Sequence, residues 1–217
     1  MKQKLLNILF ISFILVSTFM TSYSKATVIP VGVQENVIYD DVINLWGWNL
    51  LYRDDYSANV TLDTMFAGHG DYIMLGAING TSDTIQLLAA IAWTDFIVYT
   101  PQNVTKTVNG AQWYNNTGSI GFVGLGDTIN QNSCDINNTN ANLRLCWHAD
   151  QGGYNDPATE LIGGWRAGTA TGLNSSTSWD RIVFTSNTVN PINVPEPTSI
   201  AILSLALIAL GLRKKFK

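Results

Sequence analysis

From Thr27 to Asn193 short runs of β-branched and aromatic residues alternate with clusters of Gly, Asn and Asp. Turn-forming residues break the chain too often for long helices, and this spacing is that of sandwiches and barrels. Strands are expected near 35–39, 46–53, 71–77, 84–89, 96–100, 111–115, 118–125, 143–148 and 181–186. One short helix is expected over Val60 to Ala67, where Leu62, Met65 and Phe66 recur at three- and four-residue spacing and Gly68 follows as a stop. The fold so predicted is mainly β: an antiparallel β sandwich with one short helix.

Charge sharpens the picture. Residues 27–193 hold five basic side chains (Arg53, Lys106, Arg144, Arg166, Arg181) against fifteen acidic ones, a net charge of −10, whereas the whole chain carries only −4. The difference comes from basic residues at the two ends. An acidic module repels polyphosphate, so nucleic acid is not an expected partner. Thirteen of the fifteen acids are Asp, which favours turns and caps where Glu favours helix interiors.

Both ends have their own patterns. Lys2 and Lys4 precede an apolar run from Leu5 to Met20, and Ser24-Lys25-Ala26 places small residues around a cleavage point, so 1–26 reads as a signal peptide and 27–193 as one secreted β domain. A retained N-terminal anchor is the competing reading. At the other end, 194–217 opens with Val194-Pro195-Glu196-Pro197. The prolines lack N–H groups and push the preceding residues toward extended backbone, leaving a strip that a processing enzyme can reach. Residues 198–212 are uncharged and apolar. As a helix they would span roughly 22 Å, short of the roughly 20 residues of a full crossing, which suits a temporary transmembrane anchor. Arg213, Lys214 and Lys215 then fix its orientation by staying cytoplasmic.

This tail resembles the PEP-CTERM sorting signal of Gram-negative bacteria, in Val194 to Thr198, the Leu- and Ala-rich run ending Ala209-Leu210-Gly211-Leu212, and Arg213-Lys214-Lys215. The resemblance implies processing by exosortase, an integral-membrane cysteine transpeptidase, transient anchoring in the inner membrane, then display at the cell surface or outside the cell. It also implies association with producers of exopolysaccharide. Similar tails carry the label of an ice-binding protein C-terminal domain. Gly163-Gly164-Trp165-Arg166, Gly172 to Arg181 and Leu143 to His148 resemble an uncharacterised extracellular module that brings no known activity.

Cys134 and Cys146 flank an Asn-rich stretch, and in an oxidising compartment such a pair reads as a disulfide worth roughly 3 kcal/mol. A competing arrangement makes Cys146, His148 and Asp150 metal ligands, since Cys146 and His148 share one face of a strand. Asp135 to Asn140 supplies alternate oxygens for calcium, but lacks the Gly and closing Glu of an EF-hand. No cofactor or metal is expected. His69-Gly70-Asp71 and His148-Ala149-Asp150 each set a carboxylate two residues after an imidazole, the spacing of an oriented base. Neither sits in a recognised nucleophile or zinc motif. Trp46, Trp48 and Trp165 are candidate ligand-binding aromatics. The first two would share one face of a strand, and the third lies between glycines and arginine. The expectation is a non-enzymatic surface or extracellular-matrix protein with an adhesion or polysaccharide-associated role. A secreted hydrolase using His148 or His69 is the alternative. Ice binding is weaker, because the Thr residues form no array.

Overall fold

The computed structural model describes residues 27–130, 133–134, 140–150 and 159–187. The expected signal peptide, residues 135–139 of the calcium reading, and the sorting tail with the expected transmembrane helix over 198–212 lie outside the described residues. Among those described, no helix is long and apolar enough to cross a membrane.

The described residues form mainly antiparallel strands. In order they form β1 (Gln34–Ile38), α1 (Tyr39–Asn44), β2 (Asn49–Asp55), β3 (Val60–Thr61), α2 (Leu62–Met65), β4 (Tyr72–Asn79), β5 (Thr84–Ala92), α3 (Trp93–Phe96) and β6 (Lys106–Val108). There follow β7 (Ala111–Asn115), β8 (Ser119–Gly124), a 3-10 turn (Ala141–Leu143), β9 (Leu145–His148), β10 (Glu160–Leu161), β11 (Arg166–Ala167), β12 (Ala170–Thr171) and β13 (Trp179–Ser186). One sheet has five strands in the order β1-β5-β4-β13-β2 and a second has six in the order β12-β11-β9-β8-β7-β6; β3 and β10 form a two-stranded ribbon.

The main core is shared by the two large sheets. Ile73, Leu75, Ala77, Leu87, Ala89, Ile91 and Val183 come from the first, and Ala111, Trp113, Ile120, Phe122, Leu145 and Trp147 from the second. Alternate residues point to opposite faces of a strand, so the residues between them need a second covering. On the first sheet Met74, Ile78, Leu88, Ala90, Ile182 and Phe184 are covered by Val42 of α1, Trp48 and partly buried Ile29 and Trp46. On the second, Tyr114, Val123 and Cys146 pack with Ile129 and Cys134. Both faces of β4, β5 and β8 are thereby closed, which is why these strands read as nearly continuous apolar runs.

Gly121 shows how tight the second covering is. A Cβ there would meet the Leu145 carbonyl oxygen at 2.1 Å and the Tyr114 hydroxyl at 2.6 Å, because the Tyr114 hydroxyl donates to Leu145 O across it at 2.7 Å.

Three expectations change. The predicted helix exists but is confined to α2, whose start is held by the Thr61 hydroxyl accepting from Thr64 N at 3.3 Å. Two further helical turns appear; α1 and α3 carry Asp40, Asp41 and Asp95 in their first turns, where negative charge suits the helix dipole. The strand expected over 96–100 is absent. Phe96 instead closes α3, packs its ring 5.0 Å from Phe66, and has its carbonyl held by Asn115 Nδ2 at 3.1 Å.

Candidate functional site

The expected strand from Trp46 begins only at Asn49. Gly47 takes φ = 77°, a left-handed turn that glycine adopts without penalty, and it separates the fates of the two indoles. Trp48 is 1% exposed and donates its Nε1–H to Val28 O at 2.8 Å. Trp46 remains half-buried at the edge of the covering cluster. Trp165 is 37% exposed, on the connection from β10 to β11.

The polar bonds around Trp48 belong to a larger junction that joins the two ends of the described module. Ser186 Oγ, at the end of β13, donates to Thr27 Oγ1 at 2.8 Å, and Val28 N donates to Trp46 O at 2.8 Å. Gly70 N donates to Thr185 Oγ1 at 2.6 Å, and a Cβ on Gly70 would collide with Asn187 Oδ1 and Ser186 O. Thr27, the first described residue, and Ser186, the last but one, thus meet at one place. Trp165 lies at the other end of the strands: Gly164 packs on the Tyr56 ring, and Tyr56 N donates to Trp179 O at the start of β13. β13 has eight residues, so these poles stand roughly 23 Å apart.

The histidines do not share a sequence neighbourhood or a sheet. His69 is stacked on Trp93 with ring centroids 3.6 Å apart and planes within 20°, and its Nδ1 lies 3.0 Å from Gly70 O. His148 ends β9, its backbone engaged on both sides by Gly163 O and Ile162 N. Among the described residues no group of three or more His, Cys, Asp or Glu side chains is arranged to hold a metal. Asp95 and Lys106, 2.5 Å apart, border a small depression that also touches Thr100 and Trp113.

The disulfide expectation is corrected. Cys134 and Cys146 are buried thiols that are not bonded to each other. Spacing brought both into one cluster, but Cys146 Sγ faces Ser133 Oγ at 2.6 Å, and both sulfurs flank the Tyr114 hydroxyl. Burial, and then the neighbouring Cys134 and Cys146, hold the Tyr114 phenol well above its usual 10.0.

Sequence reasoning missed the buried arginines. Arg144, Arg166 and Arg181 are all sealed from solvent, so three of the module's five cations are inside. Arg144 pairs with buried Asp127 at 2.6 Å and donates to Thr128 O at 2.9 Å. Arg181 donates to the carbonyls of Asp55 and Ala58, tying the β2 end to the turn before β3, and its burial lowers its affinity for a proton. Burial, partly offset by Arg181, pushes the Tyr52 phenol up to about 12. The cations left nearer the surface are Lys106 and Arg53, the latter bound to Asp180 at 2.6 Å, so the exterior is more acidic than the composition alone implies.

Residues 193–215 match the PEP-CTERM protein-sorting motif. No curated protein matches the chain, and no solved structure does. A sorting signal of this class is processed by exosortase, so the chain is an exported protein whose tail anchors transiently in the membrane before release to the cell surface.

Proposed function

We propose that this exported, exosortase-sorted chain is a non-enzymatic component of the cell surface or extracellular matrix, contacting polysaccharide through Trp165. The observation that carries the reading is the position of that indole. It is exposed at the pole opposite Thr27 and Ser186, where the described module begins and ends. Ile162, three residues earlier, is also exposed, and the Leu173–Ser176 turn is fixed to the Trp165 backbone by Leu173 N donating to Trp165 O at 3.2 Å. An apolar ring face set among Asn and Ser suits a sugar ring, whose C–H faces stack on aromatics while its hydroxyls find polar partners. The acidic exterior favours neutral or cation-bridged polysaccharide over polyanions.

Co-sedimentation of the purified chain with matrix polysaccharide tests this. Trp165→Ala is expected to remove most binding, and Trp46→Phe to leave it unchanged. Retention of binding by Trp165→Ala would reject the assignment. A hydrolytic turnover of that polysaccharide abolished by His69→Ala or His148→Ala would replace it with an enzymatic function.

A further inference from the structure

The pole where the two ends of the described module meet carries an apolar surface. Val28 is 49% exposed, Leu45 58% and Leu50 43%, and half-buried Trp46 lies among them. They are neighbours by construction. Val28 N is bonded to Trp46 O, Leu45 precedes Trp46, and Leu50 stands opposite Phe184 near the end of β13, on the face covered by Trp48 and α1. Single exposed apolar side chains need no explanation. Here several gather at the pole where the described module ends, ahead of the sorting tail in sequence.

We propose that this pole is the module's membrane-facing surface, and that Val28, Leu45, Leu50 and Trp46 enter the headgroup region of the inner membrane while the tail is anchored. The occupant is set by chain length. Ten residues, Thr188 to Pro197, separate the end of the described module from the apolar run, and they reach at most roughly 35 Å when fully extended. The bilayer surface is therefore always within reach of this pole. An indole with aliphatic neighbours is the composition that settles at an acyl–headgroup boundary. Basic residues do not assist: the module is strongly acidic, and Asp41 lies under the patch, its carbonyl accepting from Leu45 N and Trp46 N. The contact is thus apolar and independent of anionic lipid. Four side chains hold a protein only weakly, and the tether supplies the effective concentration that makes the contact persist. Once exosortase cuts the tail, the same patch no longer retains the module, so processing releases it.

The full chain reconstituted in phosphatidylcholine vesicles with shallow brominated acyl chains tests this, because all seven tryptophans lie in the module and bromine quenches only those near it. Wild type is expected to float with the vesicles and to lose part of its tryptophan emission. Leu45→Asp and Val28→Asp, at exposed sites where folding is checked by circular dichroism, are expected to float equally and lose most of that quenching. Trp46→Phe should abolish it, and Trp165→Phe should not. Flotation without quenching in the wild type would overturn the proposal and leave the patch to a protein partner such as the processing enzyme. Quenching unchanged by Leu45→Asp would overturn it too. A chain that fails to float would remove its premise.

Discussion

The two large sheets solve the same problem, a second face that needs covering, with opposite chemistry. The first sheet's outer face is closed by α1, Trp48 and the N-terminal segment, an apolar cluster in which the Trp48 indole makes one bond to Val28 O. The second is closed by the segment after β8, which brings Ile129 and Cys134 but also a fully buried Arg144–Asp127 pair. Apolar covering is stable through area alone, and losing one group removes a share of it. Ionic covering is held by mutual neutralisation, and removing one partner strands a charge. The second cover is therefore the more brittle, although both are equally sealed.

Breaking that contrast gives the largest expected effect. Arg144→Met leaves Asp127 buried without its counter-ion and is expected to cost about 3–5 kcal/mol in urea unfolding. Adding Asp127→Leu should recover much of this, since a buried pair replaced by apolar groups is often neutral. A single-variant loss below 1 kcal/mol would show the two covers to be alike. Trp48→Phe, on the apolar side, should cost less, about 1–2 kcal/mol for one hydrogen bond and some volume, and it should raise hydrogen exchange at Ile29 without affecting β9. The smallest effect sharpens the picture of the second cover. With Cys134 and Cys146 as thiols, a reductant is expected to leave the unfolding midpoint unchanged, whereas a disulfide across this loop would lose about 3 kcal/mol.

Much of the first sheet was legible. The runs from Tyr72 to Asn79 and Thr84 to Ala92 are long and apolar enough to mark strands whatever covers them. The two-residue strands β3, β10, β11 and β12 carry no period to read, because pairing partners decide them. The indole pair at Trp46 and Trp48 was misplaced because one glycine turned the chain before the strand began. Arginine is almost never fully buried, so Arg144 between Leu143 and Leu145 gave no warning, and only the arrival of Asp127 from a distant turn makes its burial tolerable. The cysteine spacing correctly brought two sulfurs into one cluster, but not into a bond, since Ser133 stands at Cys146 instead. For the candidate site, the glycines before Trp165 permit an exposed indole but do not demand one, since a large ring is as readily explained by a core. The structure leaves it 37% exposed. The meeting of the two ends was not legible, because it rests on hydroxyls of Thr27 and Ser186 that are 159 residues apart.

The last strand of the module is not at an edge. β13 lies between β4 and β2, with eight paired positions on one side and six on the other, so β2 has no partner in the five-stranded sheet until residues 179–186 arrive. A polypeptide threaded through a translocation channel from its N-terminus delivers these residues just ahead of the sorting tail. The sheet is thus kept from completing itself until nearly all of residues 27–187 are available to it.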